Sequence, residues 1–429
     1  MEIISLFTII IILMCISLIV TDGDFLTPSF ILESVYLVAT LVMVVTWDVH
    51  YEWVSVGIIA IGLVAFQVVE ILFCFDKSSI PRIVENNISS FVVIVIIVIQ
   101  IITIILYISE IRRIGGKGLY ESIKAVRRQN MYATSLEMSK YINVFVSRLM
   151  KLNYAAGYVN LYFLVDKIGK KKRDYQSVLL FISVFVYLIQ AVLSGGRMQF
   201  LRMGLAFIIY ILVVYRYQHN NSKSISVAKI VKVAFFLMIV LILFYETRVL
   251  VGRTNQVSYS FWEIFSTYFA GGLYLFNEYL KKPIINQGTA VGTLTFKDLF
   301  NLLYKYGFRE KRIVPQLEFR RIGEIYTNTY TAFRYYYQDY KACGVIVLQM
   351  IFSAVYNCIY KSIKQKMCKI LIPIYGFMFF GLVMHVVSDQ FFSILSFGYI
   401  ETIMHMLLII FLETKVRVTY KANYLKMCS

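Results

Sequence analysis

Apolar stretches of about 20 residues recur along this chain from residue 3 to residue 412, with one long interruption. A helix needs about 20 apolar residues to cross ~30 Å of hydrocarbon at 1.5 Å per residue. Of the 429 residues, 59% are hydrophobic and only 16% are charged, which excludes a set of soluble domains of this total length. The sequence therefore predicts an all-α, polytopic helical membrane protein.

Cysteine usage and net charge narrow the class further. The six cysteines show no CxxC or Cys/His spacing, so neither a disulfide framework nor a zinc site is expected. The chain carries 43 basic and 25 acidic residues, a net charge of +18. In a membrane protein this excess indicates topology and contact with phospholipid headgroups, and no nucleic acid partner is expected.

Twelve spans are predicted, or eleven if residues 135–165 form one tilted helix instead of a hairpin. Short cytoplasmic loops are enriched in Lys and Arg, and twelve spans with both termini inside put every short basic loop on the inner side. The same parity puts loop 21–29, which has no basic residue, outside and loop 361–369 inside. The predicted spans are residues 3–20, 30–47, 53–73, 91–108, 135–150, 154–165, 178–193, 201–215, 231–251, 345–360, 370–387 and 391–411.

Residues 252–342 form the long interruption, which this parity places outside. Thirteen Lys and Arg residues lie between Arg248 and Lys341, together with many Tyr and Phe residues. We expect a folded external cap here, between a nine-span bundle at 1–251 and three spans at 343–412, with a basic cytoplasmic tail at 413–429. Aromatic faces stack on sugar rings and Arg binds phosphate bidentately, so this composition suits a substrate that carries both.

Four motifs lie in and before this interruption. The most specific is Asn328-Thr-Tyr-Thr-Ala-Phe-Arg-Tyr-Tyr-Tyr-Gln-Asp339-Tyr340, followed by Gly344. The others are Ser194-Gly-Gly-Arg197, the stretch from Tyr268 to Asn277, and Gly292-Thr-Leu-Thr-Phe296. In this order they resemble the oligosaccharide repeat-unit polymerases, the Wzy-type O-antigen and capsule polymerases. The chain departs from that pattern at Lys341, where the family usually has Gly.

The resemblance implies both a location and a reaction. It implies a fold like that of the C-type membrane glycosyltransferases, in the bacterial cytoplasmic (inner) membrane, with the active site facing the periplasm. Such enzymes join polyprenyl-diphosphate-linked oligosaccharide units, so the implied partners are a lipid-linked donor and acceptor, the lipid bilayer and a chain-length regulator protein. A glycosyl diphosphate carries its own leaving group, so catalysis needs charge stabilisation, alignment and a base, and no cofactor or metal is expected.

The candidate site residues follow from this chemistry. Guanidinium groups stay charged in a partly dry cleft, and Arg197 and Arg334 are the candidate catalytic arginines; for Arg197 the alternative is a snorkelling interfacial residue. Candidate general bases are Glu324, Asp339 and His385, and His385 has the alternative of a packing role. The candidate substrate-binding residues are Arg248, Arg253, Arg320, Arg321, Asn277, Asn328 and Tyr330.

Three further functions remain compatible with the sequence. An O-antigen ligase would use the same fold and the same interruption. A polyprenyl-monophosphate glycosyltransferase would use an acid directly after the first span, where Asp22 and Asp24 lie. A flippase for lipid-linked sugar is the non-enzyme alternative, although such transporters typically show internal repeats, which we do not find. Glu33, Glu70 and Glu401 lie within spans and are expected to be paired or boundary residues.

Overall fold

Helices dominate the computed structural model of this chain. It describes residues 2–74, 88–116, 118–132, 142–172, 174–218, 259–283, 291–310, 317–323, 325–366 and 370–427, with short pieces at 235, 238–242 and 245–246. The structure is 79% helical and has almost no strand, so it is that of an all-α membrane protein. Predicted span 231–251 lies mostly outside the described residues.

Most of the predicted spans fall on described helices. The elements in chain order are α1 (Glu2–Val20), α2 (Pro28–Thr46), α3 (Trp53–Cys74), α4 (Ser90–Gly115), α5 (Leu119–Tyr132), α6 (Val144–Gly169), α7 (Tyr175–Leu193), α8 (Met198–Gln218), α9 (Phe261–Phe269), α10 (Gly271–Lys281), α11 (Lys297–Lys305), β1 (Arg320–Ile322), β2 (Ile325–Thr327), α12 (Ala332–Lys366), α13 (Leu371–Val383) and α14 (Phe397–Met427). Seven of the described helices are long and apolar enough to cross a membrane, namely α1, α2, α3, α4, α7, α8 and α12.

The hairpin predicted within residues 135–165 is wrong. Residues 144–169 form the single helix α6, while residues 135–141 lie outside the described residues. The predicted turn fell near Asn153, but this side chain is buried inside the helix bundle. It accepts a hydrogen bond from Gln100 on α4 and donates one to Gln190 on α7. A polar residue that is typical of a turn thus joins three helices instead.

The chain divides into two compact units. The first comprises Met1–Ile80, Tyr259–Lys366 and Met378–Phe397, and the second comprises Pro81–Ser258, Met367–Phe377 and Gly398–Ser429. In the second unit, α4, α6 and α7 pack on one another. Besides the contacts of Asn153, the Asn160 amide donates to Ser183 Oγ at 2.6 Å, and Ser183 Oγ donates to Gln100 Oε1 at 2.7 Å. Buried amides and hydroxyls therefore join these helices.

In the first unit, α12 packs along α3. Gly62 makes this approach possible, because a Cβ atom there would lie 2.3 Å from the Phe333 ring. Farther along the pair, Ser353 Oγ donates to the Phe66 carbonyl at 2.6 Å. α12 starts at Ala332, earlier than the predicted span 345–360. Its first part is a separate helical stretch that ends at the kink at Lys341.

The contacts of Asp24 contradict the predicted sides. Asp24 is buried, and the Tyr360 hydroxyl donates to its carboxylate at 2.9 and 3.0 Å. Lys364 Nζ lies 3.0 Å from the same carboxylate. An ion pair of this length cannot reach across ~30 Å of hydrocarbon. Loop 21–29 and the described residues 361–366 of loop 361–369, which were predicted on opposite sides, therefore share one end of the first unit.

Segment 259–331 belongs to the other end. The Asn277 side chain on α10 accepts hydrogen bonds from the Glu52 amide at 2.9 Å and from Ser55 Oγ at 2.7 Å. Residues 47–52 join α2 to α3, so this end is one helix length away from Asp24. α1 ends at Val20, close to Asp24 in the chain, and packs along α2 and α3, so its start lies at the same end as residues 47–52. The prediction that the N-terminus and segment 259–331 lie on opposite sides is therefore wrong.

Cysteine labelling tests this arrangement. In a variant with all six native cysteines replaced by Ser, single cysteines at Asp22 and Lys361 should react alike with an impermeant thiol reagent in intact cells. A cysteine at Tyr326, which is exposed on β2, should give the opposite result. The end with Asp22 and Lys361 is the basic one, and basic loops favour the inner side of the membrane. The end with Tyr326 is then outside, so we expect Tyr326→Cys to label. Permeabilised cells serve as the control, and different labelling of Asp22→Cys and Lys361→Cys would contradict the shared end.

Candidate functional site

Three of the four sequence motifs meet at the start of α12 in the first unit. The Asp339 carboxylate accepts hydrogen bonds from the backbone amides of Leu294 at 3.1 Å and Thr295 at 2.7 Å. The Thr331 amide donates to the Gly272 carbonyl at 3.4 Å. The motifs at 268–277, 292–296 and 328–339 are therefore one assembly. The fourth, which ends at Arg197, belongs to the second unit.

The turn within α12 has the backbone geometry of a glycine. Lys341 has φ 58° and ψ −154°, a region that side-chain-bearing residues rarely occupy. Two true glycines pack against the adjacent Tyr340, since a Cβ on Gly292 or on Gly344 would lie 2.2 Å from it. A glycine at position 341 would adopt this positive φ angle without strain.

Arg334 is the most buried charged group of this assembly. Its side chain is 1% exposed, and its Nη2 lies 3.1 Å from Glu318 Oε2. Its Nη1 donates to the amide oxygen of Gln338, one helical turn later. Its Cζ lies 3.2 Å from the centre of the Tyr279 ring, a cation–π contact. The guanidinium group of Arg334 is therefore held in place by a carboxylate, an amide oxygen and an aromatic face.

Arg320 approaches the same carboxylate from β1. Its Nη2 lies 3.4 Å from Glu318 Oε1, so two guanidinium groups converge on one anion. Arg320 also donates to the backbone carbonyls of Glu278 at 2.9 Å and Lys282 at 3.3 Å. Arg334 Nε is buried and makes no hydrogen bond with the described residues, so this arginine keeps one unused donor. An anion with more oxygens than a carboxylate, such as a phosphate or diphosphate, could engage both arginines in the place that Glu318 now fills.

The remaining predicted substrate-binding residues are placed unevenly. Tyr330 is buried and its hydroxyl donates to the Glu318 carbonyl at 3.2 Å; burial raises its pKa, so it stays a neutral donor. Asn277 is also buried and connects α10 to residues 50–55. Arg321 and Asn328 are exposed, and Arg321 Nε donates to the Gly323 carbonyl. Arg248, Arg253 and Glu324 lie outside the described residues.

Arg197 is buried in the turn that precedes α8 in the second unit. Its side chain is 7% exposed and has further contacts within the structure. A snorkelling interfacial arginine, the alternative that the sequence left open, would instead extend into the headgroup region and be more exposed. A role in catalysis stays a prediction for Arg197.

His385 occupies a short 3-10 turn after α13 and is 1% exposed. The Tyr36 hydroxyl lies 2.8 Å from its Nδ1, and the Gln349 amide nitrogen lies beside its Nε2. The rings of Phe333 and Phe352 pack against the imidazole. Both ring nitrogens are thus engaged inside the protein, which favours the packing role over that of a general base.

Sequence reasoning missed Asp389, which lies in the loop between α13 and α14. Its carboxylate accepts hydrogen bonds from the backbone amides of Phe391, Phe392 and Ser393. The Tyr336 hydroxyl donates to it at 3.2 Å, so the carboxylate connects this loop to the aromatic run of α12. Burial raises the pKa of Asp389 from 3.8 to about 6.

Glu318 and Tyr279 were also missed as partners of Arg334. Both are distant from Arg334 in sequence, and no spacing rule joins them. Gln338 had a usable signal, because residues four apart on a helix are neighbours.

Comparison with known proteins does not assign a family: no family model, no curated protein and no solved structure matches this chain.

The backbone geometry of Lys341 gives a stability prediction. Lys341→Gly should stabilise the protein by about 1 kcal/mol, because glycine relieves the strain of a positive φ angle. The contact of Lys341 Nζ with the Tyr337 ring, at 5.4 Å, is lost but is partly solvated. Thermal unfolding in detergent measures the effect. The control is Lys361→Gly in the regular part of α12, which should destabilise by about 1 kcal/mol; a loss of stability in both variants would contradict the strain.

The raised pKa of Asp389 gives a pH prediction. A carboxyl that holds its proton more tightly in the folded state contributes stability below pH 3.8, and loses it as the pH rises through about 6. At 1.36 kcal/mol per unit, the contribution lost is about 3 kcal/mol. Asp389→Asn should remove this loss, so unfolding temperatures from pH 4 to pH 8 should fall less for the variant than for the wild type. Parallel curves would contradict the assignment.

Proposed function

We propose that this protein is a glycosyltransferase that polymerises polyprenyl-diphosphate-linked oligosaccharide repeat units into O-antigen or capsular polysaccharide. The observation that supports it is the convergence of Arg334 and Arg320 on a single carboxylate, beside Tyr279 and Tyr330. Two guanidinium groups next to aromatic rings suit a substrate with a diphosphate attached to sugars. The four motifs that resemble the polymerases point to the same substrate.

In the proposed reaction, the diphosphate of the donor displaces the Glu318 carboxylate from the two arginines. A hydroxyl of the acceptor unit then attacks the anomeric carbon of the donor. The bond to the bridging oxygen breaks, and that oxygen leaves with the bonding electrons on the polyprenyl diphosphate. Arg334 and Arg320 neutralise the charge that develops there. The acceptor proton passes to a base, for which Asp339 is the candidate among the described residues.

We further propose that segment 259–331 faces the periplasm, with the protein in the bacterial cytoplasmic membrane. The opposite end of the first unit carries Lys361 and Lys364, and basic residues of this kind favour the cytoplasm. The donor and acceptor lipids would therefore meet on the outer side, and a chain-length regulator protein would meet the protein there. An O-antigen ligase is the sibling function with the same diphosphate chemistry.

A polyprenyl-monophosphate glycosyltransferase and a flippase have less support. The monophosphate enzyme needs a catalytic acid after the first span. Asp24 is instead buried against Tyr360 and Lys364, at the end of the first unit opposite to segment 259–331. The flippase stays the non-enzyme alternative. A flippase and a polymerase differ in the glycan that accumulates when the protein is inactive.

The test is the glycan ladder of cells that carry Arg334→Lys. Lysine keeps the charge but loses the planar fork, and loss of one such transition-state contact costs ~100-fold in rate. Single-repeat glycan should therefore accumulate on the cell surface while long chains disappear. Arg113→Lys is the matched control, because that side chain is 63% exposed and lies in the second unit, 2.7 Å from Glu110; its ladder should be normal at equal membrane levels.

Two results would contradict the proposal. A full-length ladder from Arg334→Lys at normal membrane levels would remove this arginine from the reaction. Absence of any glycan on the surface, with lipid-linked single units retained inside, would indicate a flippase.

A further inference from the structure

Glu33 on α2 is a buried acidic residue. It is 1% exposed, and no group in the described part of the chain donates a hydrogen bond to either of its carboxyl oxygens. A carboxylate in such a place costs several kcal/mol unless it is paired. Glu401, another acidic residue within a predicted span, illustrates the usual solution, since Lys151 Nζ lies 2.7 Å from its carboxylate.

A second carboxylate lies close to Glu33. Glu70 on α3 is 3% exposed, and Glu33 lies within electrostatic range of it. Ser29 is one helical turn before Glu33 on the same face of α2, and its backbone amide donates to Glu70 at 2.8 Å. The two acidic side chains are therefore neighbours at the junction of α2 and α3.

Hydroxyl groups surround the Glu70 member of this pair. Ser17 Oγ on α1 donates to Glu70 at 3.2 Å and lies 3.3 Å from Thr27 Oγ1. Ser29 Oγ lies beside the Glu70 carboxylate but makes no hydrogen bond of good geometry, although it is fully buried. Three hydroxyl oxygens thus lie around Glu70, whose partner Ser29 is one helical turn from Glu33, where α1, α2 and α3 pack together.

The protein supplies compensation for only one of the two charges. Glu70 accepts the Ser29 amide, which belongs to the first turn of α2 and carries the positive end of the helix dipole. Glu33 accepts nothing. Of the basic groups at this end of the first unit, Lys364 is paired with Asp24 and Lys361 lies over the Phe73 ring. No salt bridge reaches Glu33 or Glu70 within the described part of the chain.

We propose that Glu33, Glu70 and the hydroxyls of Ser17, Thr27 and Ser29 form a binding site for a sodium ion. Carboxylate and hydroxyl oxygens are hard ligands that suit hard cations. One monovalent cation at Glu33 balances the charge that the protein leaves uncompensated, while the Ser29 amide and the Ser17 hydroxyl stabilise Glu70. A divalent ion is disfavoured, because the described residues contain no group of three or more His, Cys, Asp or Glu side chains that could hold one. The site is independent of the proposed glycan chemistry.

The test is thermal unfolding of the purified full-length protein in sodium-free detergent buffer. Sodium chloride is titrated against choline chloride at constant ionic strength, so that only a specific ion can produce a difference. A ligand that binds the folded state raises the unfolding temperature in proportion to the logarithm of its concentration above Kd. We expect a sodium-dependent rise in the wild type, and saturable binding of radioactive sodium with the same Kd.

Substitution at Glu33 identifies the site. Glu33→Gln keeps the shape but removes the charge, and should raise the Kd for sodium by about tenfold or more, as expected for loss of a charged ligand. The matched control is Glu401→Gln in the second unit, which should keep the sodium response of the wild type. Equal unfolding temperatures in sodium and choline, or an unchanged sodium response in Glu33→Gln, would overturn the proposal and indicate that Glu33 is a neutral acid in the core. A response to calcium alone would also overturn it.

Discussion

The contact between α3 and α12 determines the architecture of the first unit. Gly62 lets the Phe333 ring approach the α3 backbone, and the two helices stay together to the level of Asp24. The start of α12 carries Arg334 and Asp339, and its last turns carry Tyr360 and Lys364. One helix pair therefore positions the candidate site at one end and the Asp24 contacts at the other. A change in the rotation of α12 would disturb both ends together.

Polar groups inside this apolar structure are informative because water does not compensate them. Several of them have partners: the amides around Asn153, the carboxylate of Asp24, and Glu401 with Lys151. Such groups join helices and need no ligand to explain them. Glu33 and the Nε atom of Arg334 in the first unit, and Glu413 in the second, are exceptions among the described residues. At such groups an ion or a substrate has a charge or a donor to compensate.

The sequence predicts the helices well, because a run of 20 apolar residues has few alternatives. It predicts poorly which loops lie on the same side of the membrane. The hairpin within α6 was inferred to place loop 167–173 inside, yet Asn153 is a bundle residue and one helix fills that stretch. For the site, the sequence predicts Arg334, Arg320 and Tyr330, and these residues do come together around Glu318. Glu318 and Asp389 could not be found, because their partners are 16 and 53 residues away and no periodicity connects them.

The pairing of Arg334 with Glu318 bears on how a substrate could bind. A buried guanidinium is costly on its own, so the folded chain needs an anion beside it before any ligand arrives. Glu318 supplies that anion, and Arg334 is already dehydrated and oriented by Tyr279 and Gln338. Exchange of the carboxylate for a phosphate therefore adds no new cost of burying the arginine. Glu318 is 21% exposed, so it has a route toward solvent when it is displaced. The affinity for a substrate would then depend on the difference between two anions, and a diphosphate, with more oxygens and more charge, has the advantage at two converging arginines.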